Sequence, residues 1–325
     1  MSDVANPNLA VVAFGGGHGL AATLSALRLM TNNLTAVVTV ADDGGSSGRL
    51  RGEMEVLPPG DLRMALSALC DDTEWGRTWR DLLQYRYRST GPLDEHAVGN
   101  LLIVGLCQLL GDPVDGLDWV GRLLNARGRV LPMCPVPLVI EADMRFGDVV
   151  RRVRGQEAVA IAPGQVEQLW LTPEQPPATP QAVEAIEAAD WVIFGPGSWY
   201  TSVIPHLLVP GLVAALRRTK ALRCLTLNLS AERLETAGMT AADHVAAWRA
   251  HADGLCFDAV LADPTAIDDM DALCEEVDKL GAHLILRQLR VGDGSARHDP
   301  LRLAAAFRDI FDGFLGDVGE RSREC

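Results

Sequence analysis

The residues best suited to chemistry lie in glycine-rich runs that follow short apolar segments. The densest is Asp42-Asp43-Gly44-Gly45-Ser46-Ser47-Gly48-Arg49-Leu50-Arg51. Its amides and hydroxyls can wrap a polar ligand, and its two arginines can meet phosphate oxygens through their planar forks. Two adjacent carboxylates would repel a phosphate standing alone. They make sense if one accepts from a sugar hydroxyl or a base N–H, or if a hard cation such as magnesium bridges at Asp42 or Asp43. The bland alternative, a solvated flexible loop, accounts poorly for so much glycine, serine and charge at a strand end.

Three further turns carry similar chemistry. Gly15-Gly16-Gly17-His18-Gly19 stands between an apolar run and a helical pattern, where glycines let a backbone approach a phosphate and aim free amides at it. The dinucleotide fingerprint is only partly met, because its third glycine position is Leu20. Gly195-Pro196-Gly197-Ser198-Trp199-Tyr200-Thr201-Ser202 offers amides and the hydroxyls of Ser198, Thr201 and Ser202. It is neither a Walker A loop nor a nucleophile elbow, so nucleophilic catalysis by Ser198 is not indicated. Pro58-Pro59-Gly60-Asp61 opens a helix, with Asp61 either its N-cap or a ligand contact. His96, Gly99 and Asn100 open the next one, and Arg297-His298-Asp299 precede the last, where a capped surface turn is the plain alternative.

These turns need strands and helices to position them. Leu9–Phe14, Thr35–Val40, Trp191–Phe194, Leu222–Asn228, Ala259–Ala262 and His283–Leu286 read as short buried strands. Helical spacing recurs at Leu20, Leu24 and Leu27, at Leu62, Leu66 and Leu69, over Trp75–Tyr87, over Asn100–Leu110 (packed on both sides) and over Val183–Ala189. The segment 41–48 reads as loop, being too glycine-rich for a helix interior. Arg129–Leu171 holds only short β-like pieces, and the proline-rich 172–181 reads as a linker inside the domain. The alternation predicts an α/β, Rossmann-like fold. Its sheet should be mostly parallel with helices on both faces, in one large domain over 9–325, residues 1–8 forming a short disordered tail.

Composition narrows the function. Hydrophobic residues at 48 % and charged residues at 22 % suit a globular protein, and no apolar run reaches the ~20 residues of a membrane span. No secretory signal is visible at the start, so a cytoplasmic protein is expected. A net charge of −14 argues against nucleic-acid binding and against anionic membrane surfaces. The seven scattered cysteines lack C-x-x-C spacing, which points to reduced thiols rather than a zinc site or a disulfide framework.

Taken in order, FGGGHGL, VTVADDGGSSGRLR, LPPGDLR, HAVGNLLI, FGPGSWYTSVIPHLLVPG and RHD resemble the YvcK-like gluconeogenesis-factor family, which lies within the CofD superfamily. The resemblance runs from about Leu9 to the final helix. It implies a Rossmann-like domain that binds UDP-sugars such as UDP-N-acetylglucosamine at loops along one sheet edge. It also implies a regulatory role in cell-envelope synthesis, cell shape and growth on gluconeogenic carbon sources, through protein partners. By motif, Gly16, Gly17, Asp42, Asp43, Ser46, Ser47, Arg49, Gly197, Ser198 and Arg297 become candidate ligand contacts. The same turns and helix starts add His18, Gly45, Asp61 and Asn100.

Several positions depart from the family pattern. His18 replaces a usual threonine, Met64 and His206 replace asparagines, and Trp199 replaces a leucine. Ser230 to Thr236 replaces the run M-T-Q-P-G-E-T, the largest change and one that bears on the ligand more than on the fold. A CofD-like transferase, moving a phospholactyl-type group from a nucleoside diphosphate donor, is the alternative function. An NAD-dependent dehydrogenase fits the fold class by analogy alone. The sequence leaves open whether the protein is a homo-oligomer.

Overall fold

Short runs of Val, Ala, Leu and Phe, buried on both faces, form the centre of the molecule. The computed structural model describes residues 8–230, 234–252 and 254–313. Seven strands make one sheet: β1 (Val11–Gly15), β2 (Leu34–Val38), β3 (Arg129–Pro132), β7 (Trp191–Phe194), β8 (Leu222–Thr226), β9 (Ala259–Ala262) and β10 (His283–Leu286). The remaining three, β4 (Val139–Phe146), β5 (Val149–Arg154) and β6 (Gln165–Thr172), make a small antiparallel sheet. The large sheet runs β3-β2-β1-β7-β8-β9-β10, and every pairing in it is parallel. Chain order runs outward from β1 to β3 and then outward again from β7 to β10. The loops leaving β1 and β7 therefore part company at the sheet centre, and such a switch point opens a crevice at the carboxyl ends of the strands.

Every residue of β1, β7 and β9 is buried, which is why these strands are continuous apolar runs and not alternating ones. Helices flank the sheet, among them α1 (Gly17–Leu27), α2 (Gly45–Met54), α3 (Pro59–Leu69), α4 (Glu74–Gln84) and α5 (Val98–Leu110). The expected Rossmann-like α/β architecture is thus present, and the six expected strands of the large sheet are β1, β2, β7, β8, β9 and β10.

Four local expectations are corrected. The run expected to be loop at 41–48 becomes helix from Gly45, because Ser46, Ser47 and Leu50 are buried against neighbouring elements that offset its weak propensity. Asp61 is not the N-cap of α3; Pro58 is, and Asp61 sits in the first turn, where a carboxylate complements the helix dipole. Helix α5 packs on one face only, leaving Leu109 78 % exposed. Cys70, Cys107, Cys134, Cys224 and Cys274 are free thiols, but Cys256 is disulfide-bonded, so the expectation of wholly reduced cysteines fails there. Residues 1–7 of the expected tail, residues 231–233 of the divergent segment and the chain after 313 lie outside the described residues.

The small sheet fills the stretch that reads poorly in sequence. Ile140, Ala142 and Met144 of β4 face the core and are fully buried. Between them, Glu141 and Asp143 pair outward with Arg154 and Arg152 of β5, and the Arg152 guanidinium lies 4.2 Å from the centre of the Trp170 ring. Directly after β5 comes the short helix Gln156–Ile161, which this sheet carries to the edge of the crevice.

Candidate functional site: a glycine-walled cleft at the sheet switch point

The turn after β1 is hemmed in on two sides. A Cβ on Gly16 would lie 2.4 Å from Asp61 Oδ2 and 2.7 Å from Thr39 Cγ2, and one on Gly19 would lie 2.1 Å from the Pro196 carbonyl oxygen. Side chains at either position would therefore push the turn away from α3 or from the turn after β7. Helix α1 begins here with no side-chain cap and no acidic residue in its first turn. The leading amides of a helix have no intrahelical partner, and Gly17, His18 and Gly19 of this first turn line the crevice, a helix start of the kind that can hold an anion.

The turn after β7 is held from β8. Asn228, just past that strand, donates from Nδ2 to the Gly197 carbonyl at 2.8 Å, and Gly197 N donates to Asn228 Oδ1 at 2.9 Å. One side-chain amide thus pairs with Gly197 as a neighbouring strand would. The buried π-helical turn Trp199–Val203 follows, and with Ser198 before it turns Ser198, Thr201 and Ser202 toward the cleft.

Between these turns lies an open cleft of about 300 Å³, near the small end of the range of roughly 300–1,000 Å³ typical of ligand pockets. Gly16, Gly17, His18, Gly19, Asp42, Gly44 and Asp61 line one side; Gln156, Glu157 and Ala160 line another; Ser198, Thr201 and Ser202 complete it. The lining holds three carboxylates and neither arginine nor lysine. Asp42 accepts from Gly44 N at 3.0 Å, and burial pushes its pKa up against the opposing hydrogen bonds from Gly44 and Ser47. Among the described residues no three His, Cys, Asp or Glu side chains are grouped to hold a metal by themselves.

The rest of the 42–51 run turns away from the cleft. Both Asp43 oxygens are engaged, Oδ1 by Glu157 N at 2.9 Å and Oδ2 by Gln156 N at 3.1 Å, so Asp43 holds the start of the short helix. Ser46 Oγ accepts from Asn100 Nδ2 at 3.0 Å and from Ala97 N at 3.4 Å, and lies 3.0 Å from His96 Nδ1. With both lone pairs used, its proton goes to His96 Nδ1. Burial, followed by Arg49, lowers the His96 pKa and keeps the ring neutral for that role. Asn100 Oδ1 in turn accepts from Arg63 Nε at 2.8 Å, and Arg63 also donates to Gln84. Ser47 is buried beside Asp42, and Arg49 donates to the carbonyls of Pro92 at 3.2 Å and Asp94 at 2.7 Å.

Of the residues singled out in sequence, the structure brings Gly16, Gly17, His18, Asp42, Asp61 and Ser198 to the cleft, with Gly197 adjoining. It does not bring Asp43, Gly45, Ser46, Ser47, Arg49, Asn100 or Arg297 into the lining. Arg297 is exposed and bound within its own loop, to Asp293 at 2.7 Å and to Ser295 Oγ at 3.1 Å. Sequence reasoning missed Gln156, Glu157 and the clamp Asn228. Asn228 carried a signal, an amide residue at a strand end; the other two follow a surface strand and carried none.

The fold and the cleft together define an α/β protein of the CofD kind. A family model described as 2-phospho-L-lactate transferase CofD matches residues 11–283. The chain belongs to this family and, within it, to the YvcK-like gluconeogenesis factors. It is 50 % identical over 318 residues to a gluconeogenesis-factor homologue of Mycobacterium tuberculosis, covering 95 % of this chain and 91 % of that one. It is 35 % identical over 318 residues to the gluconeogenesis factor of Bacillus subtilis, covering 94 % and 98 %. The crystal structure of a UPF0052 family member from Bacillus halodurans superposes with a TM-score of 0.82 at 33 % identity, over 91 % of this chain and 97 % of that one. These relatives support a function of the YvcK type. Among the described residues no single helix is long and apolar enough to cross a membrane.

Proposed function

We propose that this protein is a nucleotide-sugar-binding regulator whose ligand is a UDP-sugar, UDP-N-acetylglucosamine foremost. In this reading it acts in the cytoplasm on cell-envelope synthesis, cell shape and growth on gluconeogenic carbon, through protein partners. The observation that carries it is the composition of the cleft: amides of an uncapped helix start beside Asp42 and Asp61 on one side, Gln156, Glu157 and three hydroxyls on the others. The amides suit a diphosphate, and the carboxylates and hydroxyls suit a sugar and a ribose.

A diphosphate brought among Asp42, Asp61 and Glu157 would need its charge offset, since no lysine or arginine lines the cleft. Magnesium suits this donor set, because it is commonly held by one or two carboxylates together with substrate phosphates. Asp42 and Asp61 are the residues that would hold it. Asp43 fits less well, both its oxygens already accepting from main-chain amides. When bound, the cation would neutralise phosphate charge; the chain's own residues would orient the ligand.

A transferase of the CofD type is the second reading, favoured by the description of the matching family model. The gluconeogenesis-factor relatives favour the first. The test is a thermal-shift panel with and without magnesium. UDP-N-acetylglucosamine should raise the melting temperature more than GDP, ATP or NAD, because a ligand at a hundred times its dissociation constant stabilises by about 2.7 kcal/mol. A shift by NAD alone would select the dinucleotide reading, and a shift by GDP alone the transferase.

A further inference from the structure

The cleft has two chemically different walls, and the second is brought in by the small antiparallel sheet. On the α1 side main-chain amides stand with Asp42 and Asp61, a set suited to a phosphate that brings its own cation. On the side of the helix Gln156–Ile161 it is Gln156, Glu157 and the methyl of Ala160, facing Thr201 and Ser202. A carboxylate repels phosphate but accepts from hydroxyls, and an amide side chain both donates and accepts. Resting on the UDP-sugar reading above, we propose that this second wall is the sugar subsite. Glu157 is its specificity-determining residue, and Asp43 is a positioning residue that holds the wall in place.

The wall is tied to the body by the fully buried Val159 and by a few directional bonds. Asp43 takes the first two amides of the short helix, and Gln156 Nε2 donates to the Thr201 carbonyl at 2.9 Å, linking the loop after β2 to the turn after β7. Gly155 stands at φ +106, and a Cβ there would lie 2.4 Å from Asp43 Oδ2. The chain can therefore deliver Gln156 to that carboxylate only with glycine before it. Glu157 itself is exposed to the cleft and stands near Gly44, where a Cβ would lie 3.2 Å from Glu157 Oε2. Its carboxylate can thus meet a ligand lying between the walls without any rearrangement of the core.

The experiment compares calorimetric binding of UDP-N-acetylglucosamine and of UDP, which lacks the sugar, to the full chain and to Glu157→Gln, Asp43→Asn and Gly155→Ala. Glu157→Gln should weaken the sugar nucleotide by about ten-fold or more, the loss expected for a hydrogen bond to a charged group, and leave UDP within about two-fold. Asp43→Asn and Gly155→Ala should show the same selective loss, and faster amide exchange at 156–161 should accompany it. Equal loss for both ligands in Glu157→Gln would place Glu157 on the diphosphate or its cation and overturn the proposal. So would unchanged binding of both, or selective loss in Glu157→Gln with none in the two wall variants, which would remove the role of Asp43. If the unmodified protein binds neither ligand, it is the UDP-sugar reading itself that fails.

Discussion

The run 42–51 contributes both to the cleft and to the hydrogen-bonded network beside it, yet its polar groups are treated in opposite ways in the two places. Asp42 and Gly44 line the cleft, while Ser46 has its oxygen committed to His96, Ala97 and Asn100. Helix α3 divides likewise: Asp61 turns to the cleft, and Arg63, two residues on, turns to Asn100 and Gln84. A run of polar residues thus need not be a run of ligand contacts. Buried polar groups demand complete pairing, so part of the motif is scaffold that fixes where the other part points.

The largest effects should come from breaking the scaffold. Arg63 is 5 % exposed and its pKa is lowered to about 10, chiefly by burial, so it is charged at neutral pH and leans on its partners. Arg63→Ala should cost about 3–5 kcal/mol in chemical denaturation, since it strands the buried Asn100 oxygen and leaves a cavity. Asp61→Asn, two residues away, should change stability by less than about 1 kcal/mol and yet lower UDP-sugar affinity. Equal destabilisation by the two would erase the division drawn within α3.

The next effect is acid sensitivity, which belongs to the core and not to the cleft. His206 is fully buried, with ring nitrogens 3.1 Å from the carbonyl oxygens of Val203 and Val37, and burial lowers its pKa to about 4 against those two acceptors, which favour the charged ring. Burial likewise lowers His298 to about 4. For each, the unfolded chain binds a proton more readily than the folded one. The stability is therefore complete above about pH 6.5 and is lost as pH falls toward 4. For His206 the full swing is on the order of 3 kcal/mol. His206→Asn, which removes the titrating ring, should flatten the urea midpoint between pH 6.5 and 4; an unaltered slope would show that this ring does not titrate there.

A smaller effect is expected where the two glycine turns touch. Gly19→Ala sets a Cβ against the Pro196 carbonyl, which backbone can relieve only by parting the turns. Stability should fall by roughly 1–3 kcal/mol, and UDP-sugar affinity should fall with it. Unchanged affinity would mean that the ligand does not span both turns.

How much of this is legible in the sequence depends on how a segment is stabilised. Six of the seven strands of the large sheet are legible because they are mostly buried apolar runs; β3 is not, being four residues long and opening on Arg129 and closing on Pro132. Helix α2 is not, because Gly45, Gly48 and Gly52 oppose it locally and its stability comes from Ser46, Ser47 and Leu50 packing against distant elements. The small sheet was hidden for a different reason. Ile140, Ala142 and Met144 do alternate with charged residues, but β5 is exposed at nearly every position, so its pairing with β4 leaves no apolar pattern. The glycine turns of the site were legible by type; which of their neighbours face inward depends on hydrogen bonds across 37 to 54 residues of chain, as at Arg63–Asn100 and Ser46–Asn100.

Arg297 gives the smallest expected effect on stability and the sharpest test of where the site ends. Its partners, Asp293 and Ser295, belong to its own surface loop, and its side chain is 72 % exposed. Exposed ion pairs contribute about 0–1 kcal/mol, so little opposes a change of partner. The loop itself is anchored at the carboxyl edge of the sheet: Arg290 Nη2 donates to the Leu229 carbonyl at 2.7 Å, and Asp263 accepts from Leu289 N and Arg290 N. Leu229 directly follows Asn228, the clamp on Gly197, so the loop borders the turn that presents Ser198. A cleft with three carboxylates and no lining cation would gain most from an arginine that enters only with the ligand. Arg297→Ala should therefore leave the ligand-free melting temperature unchanged while weakening UDP-N-acetylglucosamine by roughly ten- to a hundred-fold. Arg297→Lys should recover only part of that, since lysine keeps the charge and loses the fork. If the alanine variant binds as the unmodified protein does, the site ends at the turn after β7 and the phosphates depend on the α1 amides and a cation alone.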